Sequence, residues 1–166
     1  MLVIEDGSGT DPAANSYVTV QEIRAYADQR GDELPADDAD VEALAVRAVD
    51  FLESLRDRYK GAKTSSDQPL QWPREGAFLD GSSIPDDEIP RVLKFAQMAA
   101  AVEARQADLM ENPTAQGPVE EETVGPIAVR YTNRPGAVMT GPSAFAKPWA
   151  LISPLLKASG LMVMRS

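Results

Sequence analysis

The sequence contains neither cysteine nor histidine among its 166 residues. Without cysteine the chain can form no disulfide and offers no thiolate nucleophile. Without histidine it lacks the commonest general base and the commonest transition-metal ligand. These two absences disfavour an enzyme. We therefore expect no catalytic residue, no bound cofactor and no metal site.

Carboxylates alone do not restore a chemical site. The acids cluster at residues 37 to 40, 86 to 88 and 120 to 122, but their spacing does not match a calcium-binding EF-hand loop. A solvated loop, negative charge at a helix start or protection of a strand edge explains each cluster better. Residues 7 to 10 read Gly-Ser-Gly-Thr and lack the lysine of a phosphate-binding loop.

Positive charge is also scarce. The chain carries 16 Lys and Arg against 26 Asp and Glu, a formal net charge of −10, and no Lys/Arg run exceeds two residues. Because nucleic-acid binders use cations to displace phosphate counterions, this balance argues against tight nucleic-acid binding. An acidic surface suits a protein that must not adhere to DNA, although solubility explains it equally well.

No apolar run approaches the length needed to span a membrane. The first six residues, Met-Leu-Val-Ile-Glu-Asp, lack the basic and apolar regions of a signal peptide. We expect no membrane association and a single domain over residues 1–166, with a helical core at about 17–112 and a β segment and C-terminal arm at about 119–166.

Two helices are predicted in the first part of the chain. Thr19 and Glu22 have the spacing of a capping box, which predicts a helix from about Val20 to Arg30 that stops at Gly31. A second helix is capped by Asp38 or Asp40 and continues to Gly61. Its apolar face consists of Val41, Leu44, Ala48, Phe51 or Leu52, Leu55 and Tyr59, and its polar face of Glu42, Arg47, Asp50, Glu53, Asp57 and Arg58.

The stretch that begins at Gln71 organises the rest of the chain. Trp72, Pro73 and Arg74 form an aromatic turn, and Pro90 opens a third helix that extends to about Met110, before Asn112-Pro113. We interpret Trp72, Pro73, Arg74 and Pro90 as structural anchors, with Trp72 as a plug in the core or between subunits. The alternative is a base-stacking platform made of Trp72 and Arg74. The Ala-rich belt of the third helix allows close packing within the subunit or against a neighbour.

The C-terminal part alternates between β and helical patterns. Residues 127 to 131 have the period of a strand, and Gly125-Pro126 is either a kink in one strand or a break between two. Residues 132 to 147 suggest a loop, and Pro148 to Lys157 suggest short helical turns broken at Pro154. Apolar residues follow in an otherwise acidic chain, and we predict an assembly arm whose partner-binding residues are Trp149, Leu161, Met162, Val163, Met164 and Arg165. The alternative is a final strand folded back onto residues 127 to 129.

The predicted fold is mainly α. It is a small bundle of about three main helices and a short C-terminal helix, with a minor β element and extended terminal arms.

Several motifs resemble one family of tailed-phage proteins. They are Ser16-Tyr17-Val18-Thr19, Ala48-Val49-Asp50-Phe51-Leu52, Gln71-Trp72-Pro73-Arg74, Ile84-Pro85 with Ile89-Pro90, residues 122 to 127 with Tyr131, and Pro154-Leu155-Leu156. The family is catalogued as DnaT-like single-stranded-DNA-binding proteins, and its members resemble the head–tail connector proteins of long-tailed phages.

The resemblance implies a structural virion protein: a dodecameric homo-oligomeric ring beneath the portal, in the neck between head and tail, made in the bacterial cytoplasm. Its implied partners are the portal protein and a tail-side neck or tail terminator protein, and DNA passes through the lumen without specific binding. The alternative function is that of a single-stranded-DNA-binding replication accessory protein.

Overall fold

The computed structural model describes residues 1–106, Leu109, residues 146–157, and the backbone of 121–124 and 127–130. Within these residues the fold is mainly α with minor β structure, as predicted. The helices are α1 (Val20–Asp28), α2 (Asp38–Ser54), α3 (Arg91–Glu103) and α4 (Ala146–Ile152). Helix α3 packs against each of the other three, so it forms the centre of the bundle.

The described strands form three separate antiparallel pairs. The pairs are β1 (Ala62–Lys63) with β2 (Arg74–Glu75), β3 (Phe78–Leu79) with β4 (Ser82–Ser83), and β5 (Glu121–Val124) with β6 (Ile127–Arg130). Val124 pairs with Ile127, so the chain breaks into two strands at residues 125 and 126 rather than kinking within one. The predicted linker at 113 to 120, most of the 132 to 147 loop and the terminal residues 161 to 166 lie outside the described residues.

The capping box of α1 is confirmed. The Thr19 hydroxyl accepts from the Glu22 amide at 3.2 Å, and the Glu22 carboxylate accepts from the Thr19 amide at 2.7 Å. The helix ends at Asp28, two residues earlier than predicted, and the chain then turns through Gly31, whose φ is +71°. A φ in this range favours glycine, which explains the stop.

Helix α2 differs from the prediction at both ends. Its N-cap is Asp37, whose carboxylate accepts from the Ala39 amide at 2.9 Å, and not Asp38 or Asp40. The helix ends at Ser54 instead of reaching Gly61, and a 3₁₀ turn follows at Arg56–Arg58. The buried Tyr59 hydroxyl donates to the carbonyl of Leu52 at 3.1 Å, so this tyrosine folds back on the helix end rather than extending it.

Helix α3 begins one residue after Pro90, which is its N-cap, and ends at Glu103 rather than near Met110. Its Ala-rich belt is buried inside this chain: Ala96, Ala99, Ala100 and Ala101 are all at most 1% exposed. Small side chains let neighbouring helices approach closely, and here the belt is used within the subunit. The belt is therefore not a free lateral face.

A buried glutamine joins the bundle to the N-terminal segment. Gln97 of α3 accepts from the Tyr17 amide at 2.9 Å and donates to the Ser16 hydroxyl at 2.8 Å and to the Ala45 carbonyl at 3.3 Å. A buried amide needs such partners to offset its desolvation. The N-terminal segment is thus hydrogen-bonded to the bundle, and Ile4 also forms a parallel bridge with Ser16.

Trp72 lies in the core with 0% of its surface exposed. Its ring meets that of Tyr59 edge to face, with centroids 6.0 Å apart, and the Trp72–Pro73 peptide bond is cis. A fully buried indole offers no face to a nucleobase. The structure thus excludes the alternative of a base-stacking platform at Trp72, and Trp72 fills the interior of this chain.

Glu53 does not point to solvent as the helix pattern predicted. Its Oε1 accepts from the Tyr17 hydroxyl at 2.8 Å and from the Gln71 amide at 3.0 Å. The half-buried carboxyl thereby links α2 to the N-terminal segment and to the turn that carries Trp72. Desolvation is the largest influence on it and raises the pKa of Glu53 above its ordinary value of 4.5, against the opposing effect of these hydrogen bonds.

We predict that Trp72→Ala lowers the free energy of unfolding by about 3–5 kcal/mol, because it leaves a large cavity in the core. Urea denaturation measures the change. Trp149→Ala is the matched control, since Trp149 is 36% exposed and lies outside the core cluster, so its loss should lower stability less than the loss of Trp72. Equal stability of Trp72→Ala and wild type would show that the indole is not a core element.

We also predict that Glu53 makes stability depend on pH. Because its pKa is raised in the folded chain, the folded state retains a proton that the unfolded state has released, so stability increases as pH falls through the raised pKa towards 4.5. Glu53→Gln cannot titrate and should not show this gain. Urea denaturation of both proteins between neutral pH and about pH 4.5 checks the sign. The prediction is wrong if wild type loses stability relative to Glu53→Gln over this range.

Candidate functional site

Two segments distant in sequence form one groove on the described surface. Residues 58 to 60 and 155 to 157 lie antiparallel: the Lys60 amide donates to the Leu155 carbonyl at 3.0 Å, and the Lys157 amide donates to the Arg58 carbonyl at 2.7 Å. Between them Tyr59 pairs with Leu156 in an isolated bridge. This pairing places side chains about a hundred residues apart on one face.

The segment that carries Trp149 is held firmly against the bundle. Helix α4 packs on α3, and a 3₁₀ turn at Ser153–Leu155 follows it. Ile152 and Leu155 are fully buried, and Leu156 is nearly so. The residues from 148 to 157 thus fold on their own subunit as short helical turns, as predicted, and they present Trp149 on the surface.

The groove is cationic and aromatic. It has a volume of about 380 Å³ and is lined by three cations, one indole and three other side chains, namely Arg58, Lys60, Lys157, Trp149, Ser153, Pro154 and Leu156. Among the described residues, no acidic side chain lines it. We refer to these seven residues as the Arg58–Trp149 groove.

The three cations keep their charges available. Arg58 lies over the Trp149 ring, with its Cζ 4.7 Å from the ring centroid. Lys60 Nζ donates to the Pro154 carbonyl at 2.7 Å, and Lys157 Nζ donates to the Asp57 carbonyl at 3.2 Å. Within the described part of the chain none of the three forms an ion pair with a carboxylate, and the ion pairs present there join other residues.

Arg74, which is buried, holds the backbone at Lys60 on the side that faces the core. Its buried guanidinium donates to the Lys60 carbonyl at 2.9 Å and to the Gly61 carbonyl at 2.8 Å, and it also donates to the carbonyl of Gln71 at 3.2 Å. Gly61 has a φ of +68°, and a Cβ there would collide with the carbonyl oxygen of Glu75. The turn after Lys60 therefore requires glycine, and its path is fixed by Arg74.

Two other grooves on the described surface carry both signs of charge. One of about 550 Å³ includes Glu33, Asp40, Arg47 and Arg105. The other, of about 400 Å³, includes Arg24 with Asp28, Asp32 and Glu33. Acids in these grooves would repel a phosphate, so the Arg58–Trp149 groove is the better anion site of the three.

The site residues predicted from the sequence have different positions: one lies in the groove, some are buried in the core, and the others are outside the described residues. Trp149 lies in the groove, whereas Leu161, Met162, Val163, Met164 and Arg165 lie outside the described residues. Trp72 and Arg74 are buried, and Pro73 adjoins them in the core turn. Sequence analysis missed Arg58, Lys60 and Lys157 as a set, although the alternation Arg56, Arg58, Lys60 was a local signal of a cationic edge.

Among the described residues there is no group of three or more side chains suited to hold a metal ion, and no helix is long and apolar enough to cross a membrane. The expectation that the chain is not an enzyme stays a prediction. What the groove can do chemically is bind an anion next to an aromatic surface. Cationic side chains with an exposed indole are the components that single-stranded nucleic acid binders use.

Searches of curated proteins and of solved structures each return no match to the chain. A family model matches residues 1–166, that is, the whole sequence, and its description is "Putative DnaT-like ssDNA binding protein". The chain therefore belongs to the DnaT-like family.

Proposed function

We propose that the protein binds single-stranded DNA through the Arg58–Trp149 groove. The observation that carries this proposal is the groove itself, in which three cations and an exposed indole meet and no acid is found among the described lining residues, on a chain whose net charge is −10. The family description, which names single-stranded DNA, supports the same function.

The geometry suggests how the strand is held. Arg58 and Trp149 form a stacked pair, and a base can stack on the exposed part of the indole or on the guanidinium plane. Lys60, Lys157 and the N–H edge of the Arg58 guanidinium supply the charge for phosphate oxygens. Because stacking and phosphate contacts tolerate any base, we expect little sequence preference.

This function also accommodates the acidic composition. Binding requires positive charge only where the strand lies, and the groove supplies it locally. The surrounding acids confine the strand to this surface and weaken binding overall. We therefore expect an affinity that is modest at physiological salt and rises steeply as salt is lowered.

The predicted salt dependence is quantitative. Three phosphate contacts on a single strand give a slope of log K against log salt of about −2, from about −0.7 per contact. Lys157→Gln should bring the slope to about −1.4, because it removes one contact. Fluorescence anisotropy of a labelled oligo-dT at several NaCl concentrations measures both slopes.

Arg47→Gln is the matched control, since it removes one positive charge from a different groove and should leave the slope of wild type. A salt-independent signal, or no binding at low salt, would contradict the proposal. A fall in slope for Arg47→Gln equal to that for Lys157→Gln would show that net charge, rather than the groove, governs binding.

A second candidate function is that of a head–tail connector in a tailed phage. The net charge of −10 favours it, because an acidic wall would let DNA slide through a ring without adhering. In this function the chain forms a dodecameric ring and contacts the portal and a tail-side neck protein. Trp149 and residues 161 to 166 would then serve as contacts between proteins.

The connector function makes its own prediction. Deleting residues 161 to 166 should leave the melting temperature unchanged, because an assembly arm makes its contacts with other proteins rather than with its own core, and should prevent heads from joining tails. Differential scanning calorimetry and electron microscopy of phage particles made with the truncated chain measure the two effects. A truncated protein that melts well below wild type would show that these residues belong to the fold, and normal particles would exclude the arm.

A further inference from the structure

A second exposed aromatic residue belongs to a hairpin whose backbone contacts Lys60 of the Arg58–Trp149 groove. Phe78 is in the short β3–β4 hairpin, whose turn residues Asp80 and Gly81 have φ values of +50° and +83°. Successive strand residues point to opposite sides. Leu79 packs against the core, and Phe78 is consequently left 52% exposed.

Lys60 joins this hairpin to the groove. Its Nζ donates to the Phe78 carbonyl at 3.4 Å and to the Pro154 carbonyl at 2.7 Å. Pro154 lines the groove. Because the Lys60 ammonium binds the carbonyls of both Phe78 and Pro154, the hairpin lies at the edge of the groove. The lysine thus lies between the part of the surface that carries Phe78 and the part that carries Trp149.

A large apolar ring on such a surface is not accounted for by the fold. Phe78 does not belong to the hydrophobic core, whereas its hairpin neighbour Leu79 packs against it. An exposed aromatic ring on a hairpin that contacts a lysine is a combination found at nucleic-acid surfaces, where rings stack on bases and cations contact phosphates. Trp149 with Arg58 forms the same combination of ring and cation in the groove that Lys60 also lines.

We propose that Phe78 is a second stacking platform, so that the site takes a single strand of at least two nucleotides rather than one isolated base. One base stacks on Trp149 and the next on Phe78. An ammonium has three N–H donors, and the two carbonyls take two of them. The third is free for the phosphate between the two bases. This inference rests on the proposed binding of single-stranded DNA and adds to it a further residue and a minimum strand length.

The test compares a mononucleotide with short oligo-dT strands. Phe78→Ala should weaken binding of labelled dT strands of two or more nucleotides by about 5- to 150-fold, the range that one base–aromatic stack contributes. Binding of dTMP, measured by quenching of Trp149 fluorescence, should not change. Trp149→Ala should weaken binding of strands of every length, and Phe78→Tyr should restore the affinity of wild type because it keeps the ring.

Val46→Ala is the control, since Val46 is an exposed apolar residue of α2, 37% exposed, and its loss should not alter binding. Urea denaturation verifies that each variant is folded. If oligonucleotides bind and Phe78→Ala binds them as wild type does, the second platform is excluded while the groove remains a DNA site. If strands of no length bind or quench Trp149 fluorescence, the proposed binding of single-stranded DNA fails together with the second platform.

Discussion

The candidate site depends on the hydrogen bonds that the buried guanidinium of Arg74 donates to the backbone. Arg74 is 6% exposed, and burying a charged group is costly unless its donors are satisfied. Its hydrogen bonds to the carbonyls of Lys60, Gly61 and Gln71 meet that requirement. One side chain thereby fixes the path of the chain after α2 relative to the turn that carries Trp72.

The same constraint extends from the core to the surface. Tyr59 meets Trp72 edge to face inside the molecule, and its backbone pairs with Leu156. The neighbouring Arg58 and Lys60 point to the groove, where the C-terminal segment brings Trp149. The alternation of a strand explains this division, since successive side chains face opposite sides. Tyr59 faces the core and thus determines where its two neighbours, the surface cations Arg58 and Lys60, lie. Replacing its core contacts would therefore move the groove.

Local rules predicted local structure well. The pair Thr19 and Glu22 defined the start of α1, because a capping box involves only residues three apart. The third helix and the anchoring turn at Trp72 were also found. Prediction was weaker at helix ends, where α2 ends at Ser54 because Tyr59 folds back on it. Helical periodicity placed Glu53 on a solvated face, but hydrogen bonds from Tyr17 and Gln71 hold it against the core turn.

The groove could not be predicted from the sequence, since it depends on contacts between distant segments. Arg58 and Lys157 are neighbours only because two backbone segments pair. The hairpin that carries Phe78 was not predicted from the sequence, and within it Leu79 takes the inward position and leaves Phe78 exposed. Gln97 lies within the Ala-rich belt of α3, and the sequence pattern did not predict that its side-chain amide would hydrogen-bond to the N-terminal segment. Each of these roles follows from tertiary packing, which pattern analysis along the chain does not contain.

Net charge and local charge lead to different conclusions about nucleic acid, and the structure explains how both can hold. A net charge of −10 disfavours binding over the surface as a whole. A strand that approaches within a Debye length, about 8 Å at physiological salt, responds instead to the charges nearest to it. In the Arg58–Trp149 groove the charges on the described lining residues are three cations. Acids line the two other grooves described above and make them less favourable for a phosphate.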